Sequence, residues 1–322
     1  MKARKLILLI LVFSYFSANS ILPWGFFAHK RVNKYAVFTP PEELIGFYKH
    51  NIEYVEEHSV DPDKRRYALK EEAPRHYIDI DHYGENPFEK MPRKWNDAVD
   101  KYSEDTLQAY GILPWHIQII YKRLVYAFIE KDSDKILKYS ADLGHYVADA
   151  HVPLHTTLNY DGQFTGQKGI HAFWESRLPE LFAEEKYDFF VGSADYIEQP
   201  RKYFWNIITE SHKLLDSVLS IEKRLSQSFP PDRQYCYDER LSRTVRIECE
   251  EYATAYHEAM GDMVEMRMQG SIRAISSVWY SAWVSAGQPD INSWADEDYK
   301  PIEEIKRNSN LGTGSHDERG SN

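Results

Sequence analysis

The sequence predicts an all-α fold, and two observations support this expectation. Apolar side chains recur with helical spacing along most of the chain, whereas few stretches show the period of two that half-buried strands require. Hydrophobic residues make up 43% of the 322 residues, which allows one large domain with a sizeable core. We therefore expect a single multi-helix domain that spans residues 21–286.

The first twenty residues, MKARKLILLILVFSYFSANS, have the pattern of a signal peptide. Basic residues precede an apolar run, and Ala18 and Ser20 supply the small side chains of a cleavage site. The apolar run is short for a transmembrane helix, although an uncleaved membrane anchor is the alternative interpretation. We expect export to the periplasm or beyond the cell, with a mature chain that begins at Ile21.

The helices of the mature chain follow from its periodicity. Hydrophobic spacing predicts helices over residues 26–37, 41–57, 101–131 in two pieces split by Pro114, 132–151, a segment that begins near Gly169, 196–226 and 250–285. Gly162 and Gly166 mark a loop before the segment at Gly169. Residues 287–322 are polar and poor in apolar side chains, which is typical of a disordered tail.

The negative net charge of the chain disfavours some classes of ligand. The net charge is −11, and loss of the three positive charges of the signal peptide makes it −14. Such an acidic chain is not built around a broad basic face for duplex DNA. Phosphate could still bind locally if bound cations supply the positive charge.

The stretch LGHYVADAHVPLH, residues 143–155, concentrates polar side chains in an apolar setting. His145 and Asp149 are four residues apart, so a helix places them on one face, one turn from each other. Pro153 favours a helix end just before it, and His155 follows that end. This pair indicates either a metal site or a solvated surface pair.

A second pair with the same spacing lies downstream. His171 and Glu175 stand four residues apart in the segment GIHAFWES. Two such pairs, joined by His155 and a glycine-containing loop, are much less expected by chance than one. The two pairs together therefore favour a metal site.

Candidate ligands also lie upstream of these pairs. Asp61 precedes His76 by fifteen residues, and Pro62 places Asp61 at a turn. Asp79 and Asp81 could orient the His76 ring. Nearer the N-terminus, Trp24 and His29 lie close to the expected mature start. Nitrogen and oxygen donors without thiolates suit zinc.

In this order the residues resemble the superfamily of bacterial zinc-dependent phospholipase C enzymes and single-strand-specific zinc nucleases. Its pattern is an N-terminal Trp, a His, an Asp, a His, HxxxD, a His, and a His with an acid four residues later. This chain has, in that order, Trp24, His29, Asp61, His76, His145-x3-Asp149, His155 and His171-x3-Glu175. The resemblance implies an all-α secreted protein with three zinc ions in a cleft.

The resemblance also implies how the ligands are shared. The first zinc would be held by Asp61, His76, His145 and Asp149. The second zinc would be held by His155, His171 and Glu175. The third would be held by His29, Asp149, and the amine and carbonyl of Trp24. Cleavage before Ile21 would leave three residues ahead of Trp24 and block its amine, so either processing continues to Trp24 or the third zinc is altered or absent.

The resemblance implies hydrolysis of a phosphodiester, and zinc-activated water would be the nucleophile. If Asp61 binds the first zinc through one oxygen, its other oxygen can deprotonate that water, so we expect Asp61 to be the base. The short Trp24-to-His29 spacing is similar to the nucleases, whereas Glu175 and the lack of a Gly-Gly-Asn segment are similar to the phospholipases. We expect a phospholipase C type enzyme that acts on phospholipid head groups, without a stable protein partner. A nuclease for single-stranded nucleic acid is the first alternative. A non-catalytic exported zinc-binding protein is the second.

The two cysteines of the chain are Cys236 and Cys249. They lie thirteen residues apart in a segment with a turn, and their spacing is not that of a zinc-binding CxxC motif. Because export permits disulfides, they could pair across a hairpin-like excursion.

Overall fold

The computed structural model describes residues 25–240 and 243–291, without the side chains of Arg240 and Arg243. Most of these residues lie in helices, which confirms the predicted all-α class at the level of secondary structure. The first half contains α1 (Phe26–Ala36), α2 (Glu42–His50), α3 (Ile52–His58), α4 (Asp61–Arg66), α5 (Pro87–Lys90), α6 (Trp95–Tyr102), α7 (Glu104–Tyr110), α8 (Leu113–Glu130) and α9 (Ser133–Ala150). Short 3-10 helices cover Lys70–Arg75, Ile80–Tyr83 and Pro153–Thr156.

The second half contains long helices and one two-stranded sheet. Its elements are α10 (Ile170–Ala172), a π-helical turn (Phe173–Arg177), α11 (Leu178–Lys186), α12 (Pro200–Ser228), a 3-10 turn (Pro231–Arg233), β1 (Tyr235–Arg240), β2 (Arg243–Glu248), α13 (Glu250–Met260) and α14 (Met263–Ser285).

Helix α9 runs through the interior of the molecule. It packs against α1, α3, α8, α12 and α14, and residues 140–150 are buried on every side of the helix. Two hydrogen bonds fix its middle: Trp279 Nε1 donates to the Ser140 carbonyl at 3.1 Å, and the hydroxyls of Tyr48 and Ser140 lie 2.9 Å apart. Polar residues at the end of α9 are therefore held in a rigid, dry environment.

Gly144 lets α1 approach α9 closely. A Cβ atom at this position would lie 1.8 Å from Oδ1 of Asn33 on α1. The Asn33 side chain is buried and donates from Nδ2 to the His29 carbonyl at 2.9 Å. The absence of a side chain at Gly144 thus sets the distance between the helix that carries His29 and the helix that carries His145.

Two of the predicted helices are interrupted. The predicted helix over residues 41–57 breaks at Asn51, whose side-chain amide donates to the Phe47 carbonyl at 2.9 Å and satisfies the end of α2. The predicted helix over residues 250–285 breaks at Gly261, which has a φ of +61°. Both breaks are local, because an asparagine or a glycine ends the helix by its own chemistry.

The sheet is an antiparallel hairpin that weak strand signals in the sequence did not predict. Tyr235 pairs with Glu248, and the register continues to the turn. A disulfide joins Cys236 to Cys249 at the base of the hairpin, across a Cα–Cα distance of 5.0 Å. The disulfide that the sequence left open is therefore present, and it closes the hairpin.

Some predictions lie outside the described residues. These are the signal peptide over residues 1–20, the mature start at Ile21, the zinc ligand Trp24, and the tail beyond residue 291. Among the helices that the structure does describe, none has the length and apolar character needed to span a bilayer.

Candidate metal centre

Three groups of side chains place nitrogen and oxygen donors close enough to hold a metal ion. Within each group the donor atoms lie within 4.8 Å of one another. Group A contains Asp63, His76 and His145. Group B contains His155, His171 and Glu175. Group C contains His29, His145 and Asp149.

Helix α9 supplies the residues at the middle of the centre. His145 and Asp149 lie one turn apart, as the sequence predicts, with His145 Nε2 3.3 Å from Asp149 Oδ2. The other oxygen, Oδ1, lies 3.3 Å from His29 Nε2 on α1. Asp149 therefore faces groups A and C with different oxygens, which is the position of a bridging carboxylate.

Group A forms where the chain after α4 folds back onto α9. His76 Nδ1 lies 3.0 Å from Asp149 Oδ2 and 3.0 Å from His145 Nε2. Asp63 Oδ1 lies 3.6 Å from His76 Nδ1 and 3.7 Å from His145 Nε2. Four donors from three chain segments thus converge on one point.

Group B forms from the segment after α9 and the start of the next helical stretch. Glu175 Oε2 lies 2.7 Å from His171 Nε2 and 3.3 Å from His155 Nε2. The two imidazole nitrogens are 3.2 Å apart. Glu175 also faces group C, because its Oε1 lies 3.5 Å from His29 Nε2.

Group C lies at the edge of the described chain. Gly25 precedes α1 and packs against the group, since a Cβ atom there would lie 3.1 Å from Glu175 Oε1 and 3.7 Å from the His29 ring. The chain therefore reaches group C at the residue that directly follows Trp24. Trp24 itself is outside the described residues, and its predicted role as a ligand stays a prediction.

The outer nitrogens of two histidines fix which nitrogen faces the centre. His145 Nδ1 donates to the Ser59 carbonyl at 2.8 Å, and His155 Nδ1 donates to the His76 carbonyl at 2.5 Å. Each bond holds the proton on Nδ1 and leaves a lone pair on Nε2, which is how metal-binding histidines are oriented.

The spacing of the donors fits a small divalent cation. Bonds of about 2.0–2.1 Å to a tetrahedral ion separate neighbouring donor atoms by about 3.3 Å. The separations within groups A and B range from 2.7 to 3.7 Å. Most of these pairs are at the distance that two ligands of one ion would have, so the residues present fit a metal ion.

The electrostatics of the centre also call for positive charge. Burial acts to raise the pKa of Asp149 and Glu175, but the surrounding histidines hold both well below their usual range. Burial lowers the pKa of His29, yet its contacts with Asp149 and Glu175 raise it to about 10. For His76 burial prevails and lowers the pKa to about 4. Ionised buried carboxylates need compensating charge, which divalent cations supply.

The structure corrects the predicted ligand Asp61. Its carboxylate lies outside the three groups, 2.7 Å from His58 Nδ1 and 3.0 Å from Lys64 Nζ. Asp63 stands in the predicted place instead. Two residues on a helix differ by about 200° in direction, so in α4 only one of the two aspartates can face α9.

The remaining seven predicted ligands that are described all lie in the three groups. His151 lies outside the three groups, and its Nδ1 donates to the Val147 carbonyl at 2.8 Å. Asp81 does not orient His76, because it accepts hydrogen bonds from the Thr157 hydroxyl and the Leu158 amide. The acid that faces the outer nitrogen of His76 is Glu72, whose Oε1 lies 3.8 Å from His76 Nε2.

Sequence reasoning missed Asp63 and Glu72, although weak signals were present. Asp63 stands two residues after Asp61 in the segment DPDK. Glu72 precedes His76 by four residues, the same spacing that singled out the two downstream pairs, with the acid before the histidine.

Aromatic side chains lie beside the centre. Tyr67 is half exposed, and burial together with the nearby charge of Asp63 raises the pKa of its phenol. The Tyr160 ring lies 6.0 Å from the His171 ring. Phe164, on the same loop as Tyr160, exposes 72% of its surface. The surroundings of groups A and B thus offer apolar contact area.

Comparison with known proteins does not identify the chain. No protein-family model matches the sequence, and no curated protein matches it.

Proposed function

We propose that the protein is a zinc-dependent phosphodiester hydrolase of the phospholipase C type. One observation carries the proposal: Asp149 joins two groups of donors, with one oxygen toward His29 and the other toward His76. A carboxylate in that position would hold two cations close together, and paired cations are one arrangement that hydrolyses phosphate diesters.

The donor chemistry supports zinc. Imidazole nitrogens and carboxylate oxygens make up all three groups, without a thiolate. Zinc accepts such mixed ligands with a coordination number of four or five, whereas magnesium and calcium favour oxygen. Groups A and B would each hold one ion, and His29 with Asp149 Oδ1 of group C would hold a third. The single lone pair of His145 Nε2 would serve the ion of group A.

Different residues of the centre would have different roles in hydrolysis. When bound, zinc acts as a Lewis acid toward phosphate oxygens and lowers the pKa of water from 15.7 to about 7. Asp63 takes the place of Asp61 as the proposed general base, because it is the carboxylate of group A that is partly open, with 14% of its side chain exposed. His155 and His171 orient the group B side of the site through their contacts with Glu175.

A lipid substrate is supported by the surroundings of the centre. Tyr67 and Phe164 offer exposed aromatic surface, which suits contact with the apolar part of a phospholipid. The net charge of −11 adds long-range repulsion against a polyanion such as a nucleic acid. We therefore place the lipid substrate before single-stranded nucleic acid.

A side-by-side assay tests the proposal. The purified protein would be analysed for zinc and then given phosphatidylcholine vesicles, single-stranded DNA and RNA at neutral and mildly acidic pH. Release of diacylglycerol without nucleotides supports the phospholipase. Nucleotide release alone would assign the chain to the nucleases instead. Bound zinc without turnover of any of these, or of a chromogenic bis-aryl phosphodiester, would leave a non-catalytic zinc-binding protein.

A further inference from the structure

His76 is oriented differently from the other histidines of the centre. Its Nδ1 faces the donors of group A, at 3.0 Å from Asp149 Oδ2. His145 and His155 instead present Nε2 and donate from Nδ1 to backbone carbonyls. The outer nitrogen of His76 is therefore Nε2, and it needs an acceptor from another source.

The nearest carboxylate to that outer nitrogen is Glu72. The two side chains are both buried, with exposures of 0% for Glu72 and 1% for His76. Glu72 Oε1 lies 3.8 Å from His76 Nε2, and within the described parts of the chain Nε2 has no hydrogen-bond partner. A charged acceptor thus stands opposite a buried imidazole nitrogen that no backbone carbonyl satisfies.

Glu72 is held in place from three sides. The Tyr146 hydroxyl donates a short hydrogen bond to its Oε1. Arg75 Nη1 donates to Oε2 at 2.6 Å, and Arg65 Nε lies 3.5 Å from the same oxygen. Arg65 also pairs with Asp142 on α9 at 2.9 Å. Two guanidinium groups keep the carboxylate charged, and two of the anchors tie it to the helix that carries His145 and Asp149.

We propose that Glu72 is the positioning residue of His76: it accepts the Nε2 proton and keeps Nδ1 unprotonated toward group A. This inference rests on the metal centre of the proposed function. An approach of about 1 Å would bring the pair to the distance of about 2.8 Å of a charge-assisted hydrogen bond. A carboxylate behind a metal-binding imidazole fixes its tautomer and increases its basicity, and loss of such a partner costs about 10–100-fold in metal affinity.

Variants at Glu72 test the inference through metal affinity. Glu72→Ala is expected to lower the affinity for one zinc ion by about 10–100-fold, as measured by competition with a chelator. Glu72→Gln keeps an acceptor oxygen and is expected to fall between Glu72→Ala and the native protein. Glu71→Gln, an exposed neighbour, is the control and should bind zinc like the native protein. Native affinity in a folded Glu72→Ala protein would overturn the inference.

A measurement on the native protein tests the inference even if the Glu72 variants do not fold. Long-range ¹H–¹⁵N correlation in the zinc-loaded protein should show His76 with its proton on Nε2, and His145 and His155 with theirs on Nδ1. A proton on Nδ1 of His76 would overturn the role of Glu72 and would also remove His76 from group A, because a protonated nitrogen cannot bind a metal ion. If the native protein holds no zinc, the proposed function fails first, so the two failures can be told apart.

Discussion

Asp149 and His76 lie 73 positions apart in the chain, yet their side chains are 3.0 Å apart, from Oδ2 to Nδ1. Asp149 comes from the rigid interior helix α9, and His76 comes from the segment that folds back after α4. Both side chains are 1% exposed. An acid at this position can serve two cations without contact with bulk water.

Replacement of Asp149 should remove metal from two groups at once. Asp149→Asn keeps the shape of the side chain but loses the charge that faces both His29 and His76. We expect loss of the ions of groups A and C and loss of hydrolysis, while group B keeps its ion. Metal analysis by mass spectrometry measures the change. The control is Asp134→Asn, at the exposed start of α9, which should keep native zinc content and activity. Full zinc content in Asp149→Asn would refute the bridging role.

The two aspartates of α4 should behave differently. Asp63→Asn is expected to lower kcat/KM by more than about 100-fold, because it removes a metal ligand. Loss of a residue that only hydrogen-bonds to a metal ligand already costs about 10–100-fold in activity. Asp61→Asn should keep nearly native turnover, since within the described part of the chain its carboxylate pairs with His58 and Lys64 and lies outside the three groups. Steady-state kinetics with one phosphodiester compares both variants. The reverse order of effects would restore Asp61 as the ligand.

The close approach of α1 and α9 should be sensitive to a single methyl group. Gly144→Ala would place Cβ 1.8 Å from Asn33 Oδ1, so either the buried Asn33 side chain or one of the two helices has to shift. We expect a loss of about 1–3 kcal/mol in the free energy of unfolding, together with weaker metal binding by group C. Denaturant titration measures the first effect.

A double mutant checks that the clash is the cause. Asn33→Ala removes the atoms that Gly144→Ala would strike, so the two changes together should cost less than their sum. Strict additivity would show that the loss at Gly144 has another origin.

Glu248 should make stability depend on pH. Burial raises the pKa of its carboxyl to about 7, against an ordinary value of 4.5. A raised pKa means that the folded protein favours the protonated form, so its contribution is present below pH 4.5 and is lost as pH rises through 7. Since each pKa unit corresponds to about 1.4 kcal/mol, the loss is at most about 3 kcal/mol.

Glu248→Gln, which cannot ionise, isolates this effect. Relative to the native protein it should gain stability between pH 4.5 and pH 8, as measured by denaturant titration at each pH. Glu250→Gln, at the exposed start of α13, is the matched control. A difference between native and Glu248→Gln that stays constant with pH would contradict the expectation.

Local chemistry made much of the site predictable. A helix repeats its direction at every fourth residue, so the pairs His145 with Asp149 and His171 with Glu175 could be recognised from spacing alone. Pro153 marked the end of α9, and His155 follows it in the structure. These expectations needed no knowledge of how distant segments pack.

Local spacing could not show which aspartate of α4 faces the centre. Asp61 and Asp63 have the same chemistry, and only the packing of α4 onto α9 turns Asp63 toward His145. Glu72 was missed because its importance arises from Tyr146 and Arg65, which reach it only in the folded chain.

By itself, the sequence determined the helical class and the donors spaced along single helices, and it left the pairing of the two cysteines open. The tertiary structure decided which acids face inward, which nitrogen of His76 meets the other donors, and that one carboxylate lies between two groups. The physical reason is range: helix periodicity and helix ends depend on residues within about four positions. Convergence of donors from distant segments depends instead on how buried faces pack, which no local pattern records.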